Sequence, residues 1–157
     1  MEPTAERLTM YGQPGEGDAL DWSWVDEQLR AASVYWITTP GGRHPHARPV
    51  WGVWADDRLY LSIGSPSINA ALASPTPVTV HLGGDVDVVI LEGISAGSSE
   101  AEHAVRAYNT KYDWNYVARE YGPFTVVTPS KVIAWRSAGW AGRDGFQSTG
   151  RWRYPTD

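Results

Sequence analysis

Hydrophobic and polar positions are most clearly ordered between His46 and Leu72, in HARPVWGVWADDRLYLSIGSPSINAAL. In HARPVWGVW, Val50, Trp51, Val53 and Trp54 crowd together without a helical stripe. A run so rich in β-branched and aromatic residues predicts a strand. In RLYLSI, Leu59, Leu61 and Ile63 alternate with Arg58, Tyr60 and Ser62, the period-two pattern of a strand with one buried face. Asp56-Asp57 between the two runs predicts a tight hairpin turn. Gly64-Ser65-Pro66-Ser67 then forms a polar loop opening onto a short helix near Ser67–Ala73, which must end before Pro75 and Pro77. Its hydroxyls and free amides suit an anion.

The rest of the chain is organised around that hairpin. Residues 1–20 are polar and glycine-rich and read as a flexible arm; 21–157 read as one domain. DWSWVDEQLRAA predicts a first helix, with Ser23 and Asp26 spaced as a capping box and Val25, Leu29 and Ala32 on one face. SVYWITT and PVTVHL predict strands, and Gly83-Gly84-Asp85 a turn. DVVILEGISA is the most apolar strand and is expected at the centre of the sheet. A second helix is expected from Ser99, capped by Glu102, to Tyr112. FTVVTP and KVIAWR predict two extended segments joined at Pro129-Ser130; the loop SAGWAGRDG leads to a last strand, GFQSTGRWRY. Six or seven short strands with few helices predict a mainly β fold, an antiparallel β-barrel.

Composition narrows the function classes. At 157 residues the chain can bury a core of its own. Its net charge of −5, with no basic run, argues against a nucleic-acid partner. Cysteine is absent, so disulfides and thiolate metal sites are excluded. The opening residues lack a signal-peptide pattern, and no run of roughly 18 apolar residues predicts a membrane helix. A cytoplasmic protein is expected. Nine tryptophans and eight tyrosines are many for this length. Most are expected to fill the core, a few to line a pocket or a subunit interface.

The usual catalytic signatures are missing. There is no GxGxxG after the first strand, no phosphate-binding GxxxxGKS/T and no G-x-S-x-G elbow. His44 and His46 share one side of an extended segment, but two imidazoles are too few for zinc, and His81 and His103 sit at no metal spacing. Asp85, Asp87 and Glu92 are separated by apolar strand residues, which gives a paired-carboxylate mechanism little support, and Asp85 and Asp87 read as turn and strand-edge groups. Arg48 lies inside an apolar strand, so it either holds an anion or points to water. Arg151 and Arg153 flank Trp152 with the same two options.

In the order of its segments the chain resembles the flavin-binding split-barrel proteins of the pyridoxamine 5'-phosphate oxidase-like superfamily, nearest the flavin or deazaflavin oxidoreductases. The resemblance is carried by GGRHPHARPVWGVW, RLYLSIGSPSINAALASP, the EG of VVILEGISA, YNTKYDW, PSKVIAW and STGRWRY, over roughly residues 24–154. It implies a six-stranded antiparallel split barrel that forms a homodimer, with FMN or the deazaflavin coenzyme F-420 in a groove between subunits. By resemblance, Arg48, Pro49, Val50 and Trp51 would lie beside the ring, and Ser62, Gly64, Ser65, Ser67 and Asn69 would face the phosphate. Arg151 and Trp152 would reach the site across the dimer, and Tyr112 and Trp114 would shape the substrate side.

One departure bears on the cofactor. Cofactor-binding members read like S-x-K-x-R-N-L in the phosphate segment; here Ser67-Ile68-Asn69-Ala70-Ala71-Leu72 puts Ile68 in the lysine's place and Ala70 in the arginine's. Two charge-assisted hydrogen bonds are forgone, each worth on the order of 1.5–3 kcal/mol. Two readings follow. In the first, the chain is an oxidoreductase moving a hydride to or from a small organic substrate, the ring carrying the chemistry. In the second, it is a non-catalytic split barrel that binds another planar ligand, such as a tetrapyrrole, or none.

Overall fold

The computed structural model of the chain describes residues 3–10, 12–14, 18–84, 87–136 and 148–155. In chain order the elements are β1 (Thr4–Glu6), β2 (Thr9–Met10), β3 (Gln13–Pro14), α1 (Trp22–Ala31), β4 (Tyr35–Thr39), β5 (His46–Ala55) and β6 (Arg58–Ser62). They continue with α2 (Pro66–Ala71), β7 (Thr76–Leu82), β8 (Val88–Ser99), α3 (Glu102–Tyr112), α4 (Ala118–Tyr121), β9 (Phe124–Arg136) and β10 (Ser148–Arg153).

Strands pair antiparallel in the order β9-β6-β5-β4-β7-β8, and β8 returns to β9, closing a six-stranded barrel. This is the antiparallel barrel that the strand pattern predicts. Beyond it β10 pairs with β9, and β1 with β10. Part of the expected loose arm is therefore built into the sheet. The Leu8 amide donates to the Thr149 hydroxyl at 3.3 Å, and the Leu20 amide to the Thr149 carbonyl at 3.2 Å.

The β5–β6 hairpin turns on Asp56 and Asp57, at φ 49° and 55°. Both are left-handed, as a two-residue hairpin turn requires, and Asp tolerates that region better than most residues. Leu59, Leu61 and Ile63 face the barrel core. Tyr60, expected outside, is buried as well, because β6 is covered on its other face too: Tyr60 packs against Phe124 and the ring of His103.

Several expected boundaries move. The N-cap of α1 is Asp21, whose carboxylate accepts from the Ser23 amide at 2.9 Å. Asp26 is engaged elsewhere, with Trp54 Nε1 at 2.8 Å and Arg30 at 2.7 Å. Ser99 ends β8 instead of opening α3, which starts at Glu102. The two segments expected on either side of Pro129 are one strand. Glu92 pairs with Lys131 and Gly93 with Pro129, so Ser130 is the extra residue of a β-bulge. The bulge absorbs Pro129, which has no N–H to give, without ending the strand. The turn at Asp85, the loop 137–145 and the first residues of the last predicted strand lie outside the described residues.

Two apolar clusters result. The larger fills the barrel around Tyr35, Ile37, Leu59, Leu61 and Leu91; the smaller, with Tyr60, Tyr108, Tyr116 and Phe124, lies beneath α3. Ile68 of α2 belongs to the first cluster and is fully buried.

Candidate functional site

The site is built where β4 and β5 part. As far as Val50, β5 pairs with β4, the last register being Tyr35 opposite Val50. From Trp51 onward it pairs with β6. A peptide at such a fork loses its ladder partner, and a partly buried backbone group left unpaired is costly. Gly52 is that residue, and α3 supplies what the strand no longer does. The Gly52 amide donates to Tyr112 Oη at 3.0 Å. The Tyr112 hydroxyl oxygen lies 2.9 Å from two carbonyl acceptors, those of Gly52 and Ser33, to either of which it can donate. Lys111 Nζ donates to the Gly52 carbonyl at 3.1 Å and to Tyr35 Oη at 2.9 Å, and Tyr35 passes a hydrogen bond to the Leu29 carbonyl at 2.5 Å.

This arrangement sets the electrostatics. Lys111 lies over the rings of Tyr35 and Tyr112, 4.8 and 5.5 Å from their centroids. Burial pushes its ammonium down to about 8. Burial likewise raises the Tyr35 hydroxyl far above its ordinary value. The Tyr112 hydroxyl is raised by burial, with the Gly52 backbone hydrogen bond opposing.

On the adjoining surface Arg48, Pro49, Val50 and Trp51 of β5, Ser62 of β6, Gly64 and Ser65 of the following loop, and Tyr108 of α3 line one cleft of about 240 Å³. Pro49, Val50 and the half-exposed Trp51 indole give it apolar walls. Arg48 is its cation, with one donor spent on the Ala47 carbonyl at 2.8 Å. Burial raises the Tyr108 hydroxyl, and a hydrogen bond with Ser62 opposes that. Trp51 stacks on Tyr112 and meets Trp114 edge-on, the centroids 4.8 and 6.4 Å away.

Seven of the residues singled out in the sequence thus meet in this cleft: Arg48, Pro49, Val50, Trp51, Ser62, Gly64 and Ser65. Tyr112 and Trp114 buttress its Trp51 wall from behind. Ser67 sits at the rim, its hydroxyl 3.0 Å from that of Ser65. Asn69 is spent on the fold, donating to the Ile63 carbonyl at 2.9 Å and so fastening the loop. Arg151 and Trp152 lie elsewhere in the chain. Arg151 pairs with Glu6 at 3.4 Å, and Trp152 is buried against Trp22, 5.4 Å between centroids. Two residues escaped the sequence reading. Tyr108 reads only as part of a helical stripe, and nothing local announces that Lys111 faces a strand fork.

A larger cleft, of about 490 Å³, lies between the C-terminal half of α1 and the β7–β8 hairpin, lined by Trp24, Gln28, Leu82 and Asp87 among others. It gathers none of the predicted site residues and borders 85–86, which are outside the described residues, so its volume does not outweigh the chemistry of the smaller one. Among the described residues no three His, Asp or Glu side chains come together as a metal site, and no helix is long and apolar enough to cross a membrane.

The lining fits a flat ring better than a phosphate. Ile68 points into the core, and Ala70 brings no charge. Arg48, Ser65 and Ser67 are the groups left to receive an anion.

No protein-family profile and no curated protein matches the sequence. Among solved structures, the chain is similar to the FAD-binding protein of Mycobacterium smegmatis, with TM-score 0.55 and 15% identity over 76% of this chain and 98% of that one. It is similar to a FAD-binding protein of Mesorhizobium loti, with TM-score 0.54 and 18% identity over 86% and 96%. It is also similar to a Clostridium acetobutylicum protein of the pyridoxinephosphate oxidase family, related to general stress protein 26 of Bacillus subtilis. There the TM-score is 0.54 and the identity 12%, over 74% and 91%. At such identities the likeness concerns the fold. The chain has the split-barrel fold of the pyridoxamine 5'-phosphate oxidase-like proteins.

Proposed function

We propose that the chain is a flavin-type oxidoreductase that holds FMN or coenzyme F-420 in the cleft between β5, the β6–α2 loop and α3. The observation that carries this reading is the convergence of Arg48–Trp51 and Ser62–Ser65 on one cleft with apolar walls and a single cation. Neighbours in fold whose names include FAD binding support it. When bound, such a cofactor supplies hydride chemistry, and the protein need only bind and orient it. Pro49, Val50 and Trp51 would lie along the ring, excluding water from one face. Arg48, Ser65 and Ser67 would receive the anionic tail, Arg48 by charge-assisted hydrogen bonds. Tyr108 and Ser62 place hydroxyls at the edge of the cleft, where they can orient polar atoms of a ligand.

A homodimer belongs to the same proposal. A cleft of about 240 Å³ is smaller than the roughly 300–1,000 Å³ of small-molecule sites. Beside it Trp51, Trp114 and Tyr121 expose large aromatic surfaces. A second copy laid on this face would deepen the cleft and cover them.

Titration of the purified protein with FMN and, separately, with F-420, followed by cofactor fluorescence, tests the reading. Micromolar or tighter binding of one is the expected result. Failure of both at tens of micromolar overturns it in favour of a barrel that takes another planar ligand or none, the absent cations at Ile68 and Ala70 then being decisive.

A further inference from the structure

Lys111 is a half-buried cation for which the proposed chemistry has no use. Among the described residues its Nζ meets only neutral acceptors, the Gly52 carbonyl and the Tyr35 hydroxyl, and two aromatic faces. Such a group is costly to bury, and a methionine would fill the same space without the charge. What the lysine adds is geometry. Gly52 directly follows Trp51, and β4 no longer holds the strand at that point. Three contacts from the last turn of α3 act on these two residues: Lys111 on the Gly52 carbonyl, the Tyr112 hydroxyl on the Gly52 peptide, and the Tyr112 ring on the Trp51 indole, 5° from parallel. Trp51 is half-exposed and lines the cleft.

We propose that Lys111 is a positioning residue: by tying the Gly52 carbonyl to Tyr35 across the open fork, it fixes the strand that presents Trp51 and so sets the wall of the cleft. The consequence for ligand binding rests on the function proposed above; the effect on Trp51 does not.

The test compares the wild type with Lys111→Met and Lys111→Arg, each made with and without Trp51→Phe, so that subtraction isolates the near-ultraviolet circular dichroism of Trp51. Lys111→Met is expected to stay folded, to lose most of that Trp51 signal and to bind FMN about tenfold more weakly, as for one lost hydrogen bond acting on the wall. Lys111→Arg, which keeps donors at the same place, is expected to restore much of both. An unchanged Trp51 difference spectrum in Lys111→Met overturns the proposal. Loss of the spectrum in a protein whose wild type binds neither FMN nor F-420 leaves the positioning role standing and removes the functional reading instead. Should Lys111→Met fail to fold, Lys111→Gln takes its place, judged by the same Trp51 spectrum.

Discussion

The ring of Tyr112 lies parallel to the indole of Trp51, 4.8 Å between centroids, while the hydroxyl of the same tyrosine closes the gap between Gly52 and Ser33. One side chain thus stacks behind the candidate cleft and splints the strand that forms it. The two tasks can be separated. Tyr112→Phe keeps the ring and removes the splint, leaving the Gly52 amide without its partner. We expect a loss of about 1–3 kcal/mol, read in urea as a lower midpoint at unchanged slope.

The pH dependence of stability follows from the same corner. Folded, Lys111 gives up its proton near 8, against an ordinary 10.5. Between those values the unfolded chain binds a proton that the folded chain does not, so stability rises with pH across that interval. With solvent reaching part of the amine, the rise is on the order of 1 kcal/mol. Above about 10 the sign reverses. Buried Tyr35 keeps its proton while the unfolded chain loses the corresponding one, and stability falls. Urea unfolding from pH 7 to 11 should show a shallow maximum, and Lys111→Met should abolish its rising limb.

The positions that depart from the phosphate-binding pattern are not equivalent. Ile68 is fully buried in the barrel core, whereas Ala70 is exposed. Ile68→Lys should therefore cost at least about 3 kcal/mol, by forfeiting apolar burial and burying an unpaired ammonium. Ala70→Arg should change stability by no more than about 0.5 kcal/mol. If the cleft holds FMN as proposed, Ala70→Arg should tighten FMN about tenfold and leave phosphate-free riboflavin unaffected. Equal gains for both ligands would mean that the phosphate lies elsewhere.

Gly52 admits no side chain. A Cβ there would sit 2.6 Å from Leu61 Cδ2 and 2.7 Å from the Tyr60 carbonyl oxygen. Since the oxygen belongs to the paired strand, relief requires moving backbone. Gly52→Ala should cost about 1–3 kcal/mol in thermal or urea unfolding and disturb the Trp51 signal along with it.

Much of this architecture is legible in the sequence because it is local. The Leu59, Leu61, Ile63 alternation fixes which face of β6 looks inward, and Asp56-Asp57 marks the turn. The aromatic run from Val50 to Trp54 marks the strand beside the cleft. What was not legible depends on partners distant in the chain. Tyr60 is buried because Phe124 covers it, Lys111 matters because β4 leaves β5 at Val50, and Trp152 is interior because Trp22 packs on it. No periodicity encodes those meetings. The β9 boundary failed for a different reason: Pro129 signals an end, and a single bulged residue on the same strand cancels the signal.

The pairing of β1 with β10 has a further consequence for the order in which the molecule is assembled. Glu6 and its partner Arg151 stand 145 positions apart in the chain. The sheet cannot acquire β1 until β10 has been synthesised. The β1–β10 pairing is a long-range contact of the kind that slows folding.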